Sequence, residues 1–96
     1  MAKLVMHVLL KGEEENYCAK CCKTVNIIDR MFASITEFKE RVEVSYEDIY
    51  SSDTIKNYGN LIPPAIIIDN HILIEGHVPI MKKLARKLFD LIKAAN

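Results

Sequence analysis

The sequence predicts an α/β domain, a four-stranded mixed sheet built in the order strand, helix, strand, helix, strand, strand, helix. Three observations predict it. Lys3 to Leu10 (K-L-V-M-H-V-L-L) is nearly all apolar and contains β-branched residues, the pattern of a strand covered on both faces. Two later stretches, Cys21–Ile35 and Ile80–Ile92, repeat apolar residues with the helical period. Late in the chain two strand-like runs flank Asp69-Asn70, which carries the turn chemistry of a tight hairpin. The first two strands are then parallel, joined by a right-handed crossover, and the hairpin makes the rest of the sheet antiparallel.

Composition sets the bounds. With 96 residues, 50% of them hydrophobic and 27% charged, residues 1–96 form one globular domain with a modest core. Thirteen basic and thirteen acidic residues cancel, which gives no bulk charge for recognising nucleic acid. Lys3 is followed by a short apolar run interrupted by His7, with no small-residue cleavage pattern after it, so the start does not read as a signal peptide. No run approaches the roughly 20 apolar residues of a membrane span. The expectation is a soluble, cytoplasmic protein without repeats, low-complexity tracts or linkers, and without a nucleic-acid or membrane partner. In that compartment a paired dithiol is a catalytic or sensing device.

Within the first strand His7 reads as a hydrogen-bonded core or strand-end histidine; the competing reading is a proton relay. Lys11 to Asn16 is a polar loop whose Glu13, Glu14 and Glu15 read as a solvated turn, although beside thiols they would oppose thiolate formation. The next helix is resolved by angle at about 100° per residue. Cys21, Thr24, Val25, Ile28, Met31, Phe32 and Ile35 fall on the arc that faces the sheet. Lys23, Asn26, Asp29, Arg30 and Ser34 lie opposite, and Cys22 groups with Asn26 and Asp29.

Arg41 to Tyr46 alternates apolar and polar residues and reads as a second strand near an edge. Ser52–Tyr58 makes a short helix, capped by Ser51 or Ser52 and stopped by Gly59. Ala65–Asp69 and His71–Glu75 are the hairpin strands, and Gly76 ends the second. Pro79 fits the first turn of the last helix. That helix puts Ile80, Met81, Leu84, Ala85, Leu88, Leu91 and Ile92 on its apolar face. Lys82, Lys83, Arg86, Lys87 and Lys93 form a basic stripe, read as a solvated face with an acidic partner surface as the alternative.

Every cysteine lies in Cys18-Ala19-Lys20-Cys21-Cys22, and an odd number leaves at least one unpaired within a monomer. A thiol attacks a disulfide only as thiolate, and the start of a helix stabilises that charge through free N–H groups and a positive dipole end. Neighbours three apart on a helix have Cβ atoms roughly 5–6 Å apart, and a disulfide needs about 3.5–4.5 Å. A slightly tightened first turn therefore lets Cys18 and Cys21 bond. Periodicity shelters Cys21 and leaves Cys18 at the helix entrance, the asymmetry of a resolving and an attacking thiol. The charges of Lys20 and Lys23 favour the thiolate. The same spacing is also half of a zinc site, but no second C-x-x-C exists, and His7, His71 and His77 form no paired ligand motif.

The order of elements, a C-x-x-C after the first strand, and a proline just before the third resemble the small thioredoxin- and glutaredoxin-like redox-disulfide proteins. The resemblance runs over nearly the whole chain. It rests on Cys18-Ala19-Lys20-Cys21, on Ile62-Pro63-Pro64-Ala65-Ile66-Ile67-Ile68-Asp69, and on Glu75-Gly76. It implies a thioredoxin-like fold with two helices on one face of the sheet and the short Ser52–Tyr58 helix on the other. It also implies a cis Pro64 packed against the disulfide, with Gly76 near the same surface, forming a backbone edge where an extended substrate adds as a strand. The long acidic loop and the extra Cys22 depart from the pattern. So does Pro63, which lacks the N–H that family members offer a peptide, and a missing bond of this kind is worth about 0.5–1.5 kcal/mol.

The expected function is thiol–disulfide exchange: Cys18 attacks, Cys21 resolves, Lys20 and Cys22 modulate, and Pro63, Pro64 and Gly76 bind substrate. No bound cofactor is required. Partners would be a disulfide-containing protein or small-thiol substrate and a reductase or small-thiol electron donor. The alternative is a metal-binding or metal-delivery module in which Cys18, Cys21 and Cys22 hold Cu(I), Zn(II) or Hg(II). Ferredoxin-like metal chaperones share the C-x-x-C position but end on a strand, whereas this chain ends on a helix. A third reading, a non-catalytic interaction domain, is opposed by the intact C-x-x-C.

Overall fold

The computed structural model describes residues 3–12 and 17–95. The loop glutamates Glu13, Glu14 and Glu15 lie outside the described residues. The elements are β1 (Leu4–Leu10), α1 (Ala19–Ser34), α2 (Thr36–Arg41), β2 (Val42–Asp48), α3 (Ser52–Tyr58), β3 (Ala65–Ile68), β4 (His71–Glu75) and α4 (Met81–Ala95). The four strands form one sheet in the order β2-β1-β3-β4. β1 runs parallel to β2, and β3 is antiparallel to both β1 and β4. The fold is thus α/β with a mixed sheet, and among the described residues no helix is long and apolar enough to cross a membrane.

The apolar run of β1 is explained by its place inside the sheet. Met6, Val8 and Leu10 point to one face, where they meet Ile66 and Ile68 of β3, Cys21, Ile28 and Met31 of α1, Phe38 of α2, and Leu84, Leu88 and Ile92 of α4. Leu9 points to the other face and packs with Ile49, Ala65 and Ile67, with Tyr58 of α3 and Leu61 against them. Both sides of β1 and β3 are therefore covered, and alternation vanishes from their sequences.

Local chemistry fixes the ends of the elements. Ser51 accepts the Thr54 N–H through Oγ at 3.2 Å and caps α3, an interaction worth about 1 kcal/mol. The buried Thr54 hydroxyl in turn donates to the Asp48 carbonyl at 3.0 Å. Asp69 and Asn70 both take the left-handed conformation, at φ 53° and 62°, which two-residue hairpin turns require and Asp and Asn tolerate.

Three expectations are corrected. Residues Thr36–Arg41 form α2, which the sequence did not reveal, and Arg41 is its last residue instead of the first of a strand. β2 starts at Val42 and extends to Asp48, because Glu47 and Asp48 pair in register with Leu9 and Leu10. Pro79 lies ahead of α4, not in its first turn: the helix starts at Met81, and the Leu84 N–H already bonds the Ile80 carbonyl at 2.9 Å.

Candidate active site

The C-terminal end of β1 feeds directly into the cysteine segment. The Cys18 N–H bonds the Lys11 carbonyl at 3.2 Å, which anchors the entrance of α1 to the strand end. Cys18 is the N-cap of α1, with extended backbone, and its sulfur accepts the Cys21 N–H at 3.4 Å. Serine or aspartate usually holds this position because it satisfies a free N–H of the first turn; here a sulfur does. The sulfurs of Cys18 and Cys21 are 2.8 Å apart and share a hydrogen bond. Both cysteines are free thiols, Cys18 half-buried and Cys21 buried.

The two thiols differ in acidity. The hydrogen bond from Cys21 lowers the Cys18 pKa below the ordinary 9.0, helped by the backbone N–H groups of Cys21 and Lys20 and by the charge of Lys11, and opposed by partial burial. Burial, then the hydrogen bond with Cys18, push the Cys21 thiol up to about 11, while the Lys11 N–H, 3.3 Å from the sulfur, pulls the other way. Cys18 is therefore the thiol that ionises first, and Cys21 holds its proton. Lys20 acts through its backbone N–H, and the cationic charge on Cys18 comes from Lys11, the residue that directly follows β1. Its only signal was position, at the end of a strand leading into C-x-x-C.

Alkylation by iodoacetamide, followed by mass spectrometry over a pH series, tests this order. Initial labelling of Cys18 should show a midpoint below 9, and that of Cys21 near 11. A Cys21 midpoint at or below that of Cys18 contradicts the assignment. Since the folded pKa of Cys21 is raised, its contribution to stability is present below pH 9 and is lost as pH climbs through 11.

Register brings the proline segment to the same end of the sheet. Leu9 pairs with Ala65 and Ala65 with Glu75, so Pro64 falls next to both Leu10 and Gly76. The Gly76 N–H bonds the Pro64 carbonyl at 2.9 Å. The Pro63–Pro64 bond is cis; Pro64 is buried and Pro63 half-buried. Gly76 has φ 81°, and a Cβ there would stand 3.1 Å from Ile62 Cγ2, so its backbone admits no ordinary side chain. Glu75, whose role the sequence did not signal, accepts the Ile62 N–H at 2.9 Å.

Cys22 is exposed, and its thiol donates to the Tyr17 carbonyl at 3.5 Å. The three sulfurs do not converge: two face each other and the third turns to the backbone. Among the described residues no group of three His, Cys, Asp or Glu side chains is arranged to hold a metal ion. His7 pairs through Nδ1 with the Glu47 carboxylate, beside the Tyr58 ring, on the face of the sheet away from Cys21. It is no relay to the thiols. His71 is exposed on β4, and His77 Nδ1 lies 3.2 Å from the Val78 carbonyl. Across the first helix, Asp29 and burial hold the Tyr46 phenol up to about 12, burial being the larger cause.

In backbone course the chain is similar to a malarial protein of known structure, with a TM-score of 0.67 at 12% identity, covering 93% of this chain and 97% of that one. At that identity the likeness is one of fold. No protein-family model matches the chain, and no curated protein matches it.

Proposed function

We propose that the protein is a thiol–disulfide oxidoreductase with a thioredoxin-like fold and a Cys18/Cys21 dithiol. The observation that carries this reading is the pair of sulfurs 2.8 Å apart at a helix start, one half-buried with a lowered pKa, the other buried with a raised one. The strand order β2-β1-β3-β4 and the place of Pro64 and Gly76 beside the strand end that meets the dithiol support it.

The Cys18 thiolate attacks one sulfur of a substrate disulfide. A Cys18–substrate disulfide forms, the substrate S–S bond breaks, and the leaving thiolate takes a proton from solvent. Cys21 then loses its proton and attacks Cys18 Sγ, forming the Cys18–Cys21 disulfide and releasing the second substrate thiolate. Two electrons pass from the dithiol to the substrate, and a separate thiol or reductase restores them. The Lys11 N–H, already 3.3 Å from Cys21 Sγ, receives the charge that develops there.

A redox titration of the Cys18/Cys21 pair with free-thiol counting, run with and without Zn(II) and Cu(I), tests the reading. A single two-electron potential, unchanged by metal, is the expected result. Thiols protected only when metal is present would overturn it in favour of a metal module. Cys22→Ser separates the same two readings. Because Cys22 is exposed and bonded to Tyr17, the variant should reduce disulfides within a few-fold of wild type. A folded variant that loses reduction would make Cys22 the resolving thiol.

A further inference from the structure

The basic side of α4 has no part in the thiol chemistry. Lys83 and Lys87 are exposed, and neither has a hydrogen bond or ion pair among the described residues. They stand at the rim of an apolar cleft of about 210 Å³ between β4 and α4, lined also by Leu73, Ile74, Ile80 and Leu84. His77 completes the lining, and among the described residues no acid belongs to it. Asp90, the one acid of α4, faces a different cavity with Glu37 and Phe89. Ile80 at the entrance is 58% exposed.

Size and spacing define what fits. The cleft is smaller than the about 300–1,000 Å³ of a small-molecule site, so it receives one or two side chains and not a whole ligand. Lys83 and Lys87 are four apart, on one side of the helix, about 6 Å along its axis. Two carboxylates one turn apart on a facing helix have the same spacing. An aliphatic side chain on that helix would enter between Ile80 and Leu73.

We propose that this cleft docks an acidic amphipathic helix of a partner protein, with one aliphatic anchor in the cleft and carboxylates on Lys83 and Lys87. This is helix-in-groove recognition, with unpaired rim cations selecting the charge of the partner. It stands apart from the dithiol reading, so its test is a binding measurement.

The probe is a fluorescein-labelled amphipathic peptide of about 18 residues, long enough to hold a helix, with Leu on one face and Glu on the flanks. Binding to the full chain is followed by anisotropy and by amide shifts of the ¹⁵N-labelled protein. The peptide should shift Leu73, Ile74, His77, Ile80 and Leu84 and should weaken as salt rises. In Lys83→Glu/Lys87→Glu, with an unchanged circular dichroism melt, affinity should fall at least about tenfold. The same peptide with Lys in place of Glu should bind that variant and not the wild type. No binding, equal binding of both peptides, or shifts elsewhere on the surface overturns the proposal. So does decanoate producing the cleft shifts while the acidic peptide does not. A wild-type dimer that Ile80→Glu converts to monomer would instead make the cleft a contact between copies, and would also overturn it.

Discussion

Cys18→Ser should abolish disulfide reduction, and Cys21→Ser should trap a covalent adduct with the substrate. The difference follows from the distinct surroundings of the two thiols. Cys18 is the N-cap, and its sulfur shares a hydrogen bond with the Cys21 sulfur and accepts the N–H of the first turn. Serine at that position still caps the helix but has no thiolate, so the fold survives and the attack does not. Cys21 is wholly buried, and replacing it leaves the attacking thiol in place with nothing to displace the bound half of the substrate. Mass spectrometry after incubation with a disulfide substrate reads both outcomes: no adduct on Cys18→Ser, and one substrate half on Cys18 of Cys21→Ser. Normal turnover by Cys21→Ser would reverse the assigned roles. Cys21→Ala, which leaves no side-chain donor, also removes the largest cause of the acidity of Cys18. Its labelling midpoint should therefore rise relative to wild type.

Phe38→Ala should destabilise the protein by about 3–5 kcal/mol, a large part of the 5–15 kcal/mol typical of a domain. Phe38 is fully buried, with the rings of Phe32 and Phe89 centred 5.8 and 4.7 Å away. It ties α2 to α1 and α4. Urea denaturation should show a lower midpoint with an unchanged slope, and Phe38→Leu should lose less because it refills most of the space. A midpoint shift of Phe38→Ala no larger than that of an exposed α2 substitution such as Glu40→Ala would contradict this account.

The same residue shows where sequence reading stops. Thr36–Arg41 contains one buried residue in a six-residue helix, so no period can be detected, and its polar remainder reads as a loop. β1 and β3, in contrast, declare themselves by being apolar without alternation, and the hairpin by Asp69-Asn70. The exposure of Cys22 and the shelter of Cys21 follow from 100° steps around α1 and hold in the structure. The alternation of the second strand ends at Tyr46, since Glu47 and Asp48 are both polar, yet main-chain pairing with β1 takes no account of side-chain polarity. Lys11 and Glu75 escaped for another reason. Each acts on a group that only the folded chain brings near it, Lys11 on the dithiol and Glu75 on the Ile62 N–H. No local pattern encodes such a meeting.

β1 pairs with β3 through partners as far apart in the chain as Met6 and Ile68, so the centre of the sheet closes only when distant segments meet, a slow kind of contact. The dithiol itself is local, since Cys18 and Cys21 need only one turn of helix to come together. What buries Cys21, however, is the core it joins, to which β1, β3 and α4 contribute residues such as Leu10, Ile66 and Leu84. The rise of the Cys21 thiol thus belongs to the closed sheet, while the acidity of Cys18 belongs to the C-x-x-C turn. In a denatured chain both return toward 9.0 and label alike. The ratio of their labelling rates is a gauge of folding written into the protein, and it should collapse to near unity at the same urea concentration that melts the core.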